Sequence, residues 1–163
     1  MSVFDRISNL LNTLTGYTAA VLLAAMTLLV FLQVLFRYVL NHPLDWSEEL
    51  ASFAFVWMAL LGASIGLKRK EHPRLDLIAN LFPAKVQRIV VGLYNVAILF
   101  MLLVLFVYGW KLTAAMTSQL TAALQYSVSY VYAVLPISAA IMFVHLSVQT
   151  LDLFLGRDRE GTN

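Results

Sequence analysis

Polar and apolar residues follow one another along this chain in blocks of about twenty, the length of helix that crosses the roughly 30 Å hydrocarbon core of a bilayer. Four stretches are nearly free of charge: 15–38, whose first charge is Arg37, then 50–67, 89–110 and 128–151. The second spans about 27 Å at 1.5 Å per residue and is bracketed by Glu48-Glu49 before it and Lys68-Arg69-Lys70 after it. The blocks predict an all-α integral membrane protein with four transmembrane helices, forming a single membrane domain over residues 1–163.

Shorter periods fill the connections. Residues 1–14 place Val3, Phe4, Ile7, Leu10, Leu11 and Leu14 at helical spacing, with Asp5, Arg6, Asn9 and Asn12 opposite. That pattern predicts an amphipathic interfacial helix leading into the first span. The apolar stretch that follows is too long for the 7–15 residues of a cleaved signal peptide. A second interfacial helix is predicted over 73–82, opened by Pro73 and stopped by Pro83. From 112 to 124, Leu112, Met116, Leu120 and Leu124 recur every fourth residue among Thr, Ser and Gln, which predicts an extension of the third span or another interfacial helix. Pro136 places a mild kink in the fourth span.

Composition supports this picture. The chain is 61% hydrophobic and 12% charged, with a mean hydropathy of +0.80, whereas soluble domains are about 45–50% apolar. The net charge of +2 does not indicate a nucleic-acid partner, because the cations sit at the ends of apolar runs. They report orientation instead. With the N-terminus in the cytoplasm, the inner segments hold Arg6, then Lys68, Arg69, Lys70, Arg74, Lys85 and Arg88, then Arg157 and Arg159. The outer segments hold only Arg37 and Lys111, so the positive-inside rule predicts both termini in the cytoplasm. With no cysteine in the chain, disulfides, thiolate metal sites and a cysteine nucleophile are excluded.

No catalytic, cofactor or metal site is visible. The polar residues at membrane depth are Gln33, Ser52, Ser64, Tyr94, Asn95 and His145, and their plain role is hydrogen bonding between helices. A haem would need two axial ligands at matching depth. His42 falls in an outer loop, His72 in an inner loop and His145 in the fourth span. Gly62 and Gly66, like Ala20 and Ala24, give small-xxx-small steps whose default use is close packing within the chain.

The distinctive constellation is Gln33, Arg37-Tyr38, Pro43, Trp46, Glu48-Glu49, Trp57, Leu61-Gly62, Arg69, His72 and Asp76. Arg37 and the two carboxylates are placed to meet across a short turn, where a staple of the first hairpin is the structural reading and a lipid or partner site the functional one. Trp46 suits the interfacial aromatic belt. The stretch FRYVLNHPLDWSEELASFAFVWMALLGASIGLKRKEHPRLD resembles the small membrane subunit, DctQ-like, of tripartite ATP-independent periplasmic (TRAP) transporters. Its marks are Arg-Tyr, Trp-x-Glu-Glu, Trp-x-x-x-Leu-Gly and Arg-x-x-His-x-x-Asp, dense over residues 33–76. Pro73 and Leu75 depart slightly from the last of these.

The resemblance implies a bacterial inner-membrane protein without enzymatic activity of its own. It implies a large multi-span partner that holds the substrate and sodium sites, a periplasmic substrate-binding protein, and small organic anions such as dicarboxylates or sialic acids as cargo. Membrane lipids are the remaining expected partner. The competing hypothesis from the residues is an autonomous four-span exporter acting as a homodimer. Such an exporter needs a membrane-embedded carboxylate, and Glu48 and Glu49 lie too near the interface to serve.

Overall fold

The computed structural model describes residues 3–69 and 84–154. They form α1 (Val3–Tyr38), α2 (Asp45–Lys68), α3 (Ala84–Ala115), a single turn α4 (Ser129–Tyr132) and α5 (Val134–Phe154). Four segments are long and apolar enough to cross a membrane: Arg6–Tyr38, Asp45–Lys68, Ile89–Ala115 and Ser129–Leu151. The all-α, four-span fold is the one that the charge-free blocks predict. The predicted helix over 73–82, with His72 and Asp76, lies outside the described residues.

The amphipathic segment predicted over 1–14 is continuous with the first span. No proline interrupts it, and α1 runs for 36 residues, about 54 Å. Its polarity is inverted relative to a helix on the surface of a soluble bundle. Ser8 and Thr15 are buried, while Ile7, Leu10 and Leu14 are 45, 62 and 55% exposed. Polar side chains therefore turn toward the other helices and apolar ones turn outward, the arrangement expected where the surroundings are acyl chains. The helix ends at a turn in which Asn41 adopts φ 52°, a left-handed conformation that Asn tolerates better than most residues. Pro43 follows and cannot extend the helix.

The third span continues only to Ala115. Beyond it hydroxyls compete for the backbone: Thr117 Oγ1 bonds the Ala114 carbonyl at 2.9 Å, and Ser127 Oγ bonds those of Met116 and Thr117 at 3.3 and 3.0 Å. The helical extension predicted over 112–124 is replaced after residue 115 by a turn and a short hairpin. Leu120 and Ser127 pair antiparallel, and the Thr121 amide donates to the Tyr126 carbonyl at 2.8 Å. The kink predicted at Pro136 appears as the break between α4 and α5 at Ala133. Pro136 has no N–H to offer the Tyr132 carbonyl one turn back.

The helices form a row: α1 packs on α2, α2 on α5, and α5 on α3, with a smaller contact between α1 and α5. The central cluster is Leu67, Leu102 and Leu146, with Ile98, Leu99 and Met142 against it. α3 approaches the start of α5 at Gly109, where a Cβ would lie 3.1 Å from Leu135 Cβ and 3.2 Å from Pro136. Among the described residues the close contact expected at Gly62 is absent, since a Cβ there meets nothing within 4 Å. Ala20 and Ala24 are exposed as well. Small residues at four-residue spacing mark a possible contact face, but only packing decides which face is used.

Candidate functional site

Four of the described motif residues, Gln33, Glu48, Glu49 and Trp57, use side-chain atoms to engage other segments of the chain. Gln33 Nε2 on α1 reaches Glu48 Oε2 at 3.5 Å, the outer limit for a hydrogen bond. Glu48 is exposed, and its backbone carbonyl accepts from Ser52 Oγ at 2.8 Å. Glu49 is half-buried and reaches past the first hairpin. Its Oε2 accepts the backbone N–H groups of Ala123 and Leu124 at 3.0 and 2.9 Å. Two successive amides converging on one carboxylate make an anion-binding nest. About two turns further along, Trp57 Nε1 donates to the Tyr130 carbonyl at 3.1 Å. Glu49 and Trp57 thus fasten both flanks of the outer segment between α3 and α5.

The expected staple between Arg37 and the two carboxylates is not formed among the described residues. The Arg37 guanidinium lies 6.0 Å from the centroid of its neighbour Tyr38, and Tyr38 is itself exposed. Adjacent positions on α2 point about 100° apart, so Glu48 faces α1 and Glu49 faces the hairpin. Neither is directed at Arg37. Trp46 is 42% exposed at the N-terminal end of α2. Ser47 beside it is buried, and its hydroxyl bonds the Leu44 carbonyl at 2.7 Å. At the other end Arg69 terminates α2, its amide donating to the Ile65 carbonyl at 3.0 Å.

A second polar cluster, which the motif does not contain, lies at the opposite end of the row, where α1 begins and α2 ends. Lys68 Nζ donates to the Ser8 carbonyl at 2.6 Å and to Asn9 Oδ1 at 2.8 Å. Ser8 Oγ shares a 2.8 Å hydrogen bond with His145 Nδ1. Gln149 Nε2, one turn beyond His145, donates to the Leu67 and Lys68 carbonyls at 3.1 and 3.0 Å. It takes the place of a helix cap by satisfying carbonyls that the end of α2 leaves free. Three helices meet here through side chains. His145 is 1% exposed, and its Nε2, together with Asn12 Oδ1, is buried with no hydrogen-bond partner among the described residues. Each such atom costs about 1–3 kcal/mol.

Of the polar residues expected at membrane depth, Gln33 and His145 make interhelical bonds as predicted. Ser52 and Ser64 bond carbonyls of their own helix. The roles of Ser8, Lys68 and Gln149 were not visible in the sequence. Their signal was a polar stripe, Ser8, Asn9 and Asn12, on a helix otherwise apolar, opposite His145 and Gln149 at i, i+4 on the fourth span.

A family model described as the DctQ component of tripartite ATP-independent periplasmic transporters matches residues 26–156. The C4-dicarboxylate TRAP transporter small permease protein DctQ of Vibrio cholerae is 36% identical over 88 residues, covering 54% of this chain and 38% of that protein. The sialic acid TRAP transporter permease protein SiaT of Haemophilus influenzae is 29% identical over 149 residues, 90% of this chain and 24% of that protein. The sialic acid TRAP transporter small permease protein SiaQ of Vibrio cholerae is 29% identical over 102 residues, 63% of this chain and 59% of that protein. The matched segment spans less than two thirds of each of these relatives.

Proposed function

The chain belongs to the DctQ component family of tripartite ATP-independent periplasmic transporters, and from that membership we propose that it is the non-catalytic scaffold of a sodium-driven importer of small organic anions. At the coarser level it is a TRAP transporter small permease component and a multi-pass protein of the bacterial inner membrane. In the proposed complex it orients a large multi-span permease subunit, which carries the substrate and sodium sites. A periplasmic substrate-binding protein delivers carboxylates from the outside, and lipids cover the remaining apolar surface.

The observation that carries this reading is where the α2 motif spends its polar atoms. Glu49 and Trp57 hold the outer hairpin and Gln33 reaches Glu48, so these groups fix helices and loops. A protein built this way is suited to presenting a rigid surface. The row arrangement agrees, since none of the most apolar 18-residue window of α1 is buried within the chain. In SiaT the matching segment is 24% of one permease protein, which supports a much larger partner for the equivalent separate chain. The nine-to-two distribution of Lys and Arg supports an orientation with both termini in the cytoplasm.

Reconstitution tests the proposal. Vesicles containing this chain, the large subunit and the binding protein should accumulate labelled C4-dicarboxylate or sialic acid when a sodium gradient is imposed, and omission of any one component should abolish uptake. Sodium-driven solute movement by this chain alone would overturn the scaffold reading.

A further inference from the structure

The first turns of α1 meet the rest of the molecule through the inner polar cluster. Ser8 bonds His145, while the Ser8 carbonyl and Asn9 Oδ1 receive Lys68. This contact is incompletely satisfied, because His145 Nε2 and Asn12 Oδ1 are both buried without partners among the described residues. A network in that condition holds its helices weakly, since withdrawal of one element returns the orphaned atoms to water. The other edge of the same segment, Ile7, Leu10 and Leu14, already faces outward.

A weak point lies immediately above. Gly16 carries no side chain and has open space around its Cα. It is flanked by Thr13 and Thr18, whose hydroxyls bond the Asn9 and Leu14 carbonyls at 3.0 and 2.9 Å, an arrangement that loosens and bends helices. Two placements are open to the segment on either side of this point. In line with the span, its polar edge rests on Lys68 and His145. Folded onto the inner membrane surface, the same polar edge meets head groups and water, and Ile7, Leu10 and Leu14 remain against acyl chains. The apolar edge stays in lipid in both placements. The balance between them therefore rests on the few polar contacts at the cluster.

We propose that residues 3–15 form a releasable arm, locked in line with α1 by the Ser8–His145 and Lys68–Asn9 contacts and freed by bending at Gly16 to lie on the inner leaflet. The lock belongs to this chain's own helices and stands independently of the cargo or partners proposed above.

Because the chain has no cysteine, paired spin labels can be introduced cleanly into the full-length protein in lipid nanodiscs. A Leu10→Cys, Ala63→Cys pair reports the arm, and an Ala63→Cys, Ala140→Cys pair reports the α2–α5 frame. The unmodified cluster should give one dominant arm distance. Ser8→Ala leaves His145 without any partner and should raise the ratio of released to docked arm by about tenfold, as expected for loss of one buried hydrogen bond. Adding His145→Leu to Ser8→Ala removes both polar partners and should return the arm to its docked distance, since apolar replacement of a whole pair is nearly neutral. An arm distance unmoved by Ser8→Ala overturns the lock. So does broadening of the frame pair together with the arm pair, because the cluster would then be holding the entire bundle.

Discussion

Glu49 and Glu48 are neighbours of the same type at the same helix terminus, yet they do different things because one helical step separates their directions. Glu48 is left to a 3.5 Å contact with Gln33, whereas Glu49 receives two amides of the outer hairpin. Glu49→Ala should remove the hydrogen-exchange protection of the Ala123 and Leu124 amides while leaving α2 protected. Glu49→Gln keeps an acceptor without the charge and should fall between the two. Trp57→Phe keeps the ring but loses the donor to the Tyr130 carbonyl. It should destabilise the chain by about 1 kcal/mol in a detergent unfolding titration. The sequence marked Glu49 and Trp57 as motif residues and suggested a staple from Glu48 and Glu49 to Arg37. It could not indicate that the staple goes to a loop more than 70 positions away.

At the scale of elements, glycines distinguish the contacts that exist from those that spacing merely permits. Gly62 and Gly66 have the spacing of a packing step, but Gly62 opens on nothing within 4 Å, and the tight approach is made by Gly109 against Leu135 and Pro136. Gly109→Val should force α3 and α5 apart and cost about 1–3 kcal/mol, the range for overpacking. Gly62→Ala should leave the thermal midpoint of the isolated chain unchanged or raised, because helix propensity favours Ala by up to about 1 kcal/mol. Parallel melting of the two variants in one detergent separates these outcomes. The α4–α5 break is a case where sequence located the feature and structure fixed its form. Pro136 announced a kink, and the missing amide hydrogen turned it into a helix start.

For the whole molecule, the row of helices gives α5 the central place, since it alone touches α1, α2 and α3. α1 and α3 are left at the two ends with broad apolar faces, including Val21, Leu28 and Phe31 on one and Leu93, Phe100 and Val107 on the other. Lipid or a larger membrane partner must cover such surface. Orientation is testable at this scale. A single cysteine at Ser118 should react with a membrane-impermeant maleimide from the periplasmic side, whereas one at Thr162 should react only after the inner membrane is opened. The reverse pattern would invert the proposed topology.

The number of spans, their approximate limits and the sign of charge at each end were determined by sequence alone. A bilayer imposes its demand on each segment separately: about twenty apolar residues, with every backbone group bonded inside the helix. That requirement is one-dimensional and can be read one stretch at a time. Which polar atoms meet was decided only by tertiary structure. The Glu49 nest, the Trp57 bond and the Ser8–His145–Lys68 cluster depend on how each helix is rotated about its axis and on which helix becomes its neighbour. Those choices arise from packing among all the helices at once, as at Gly109 and Leu102, and no single segment contains them.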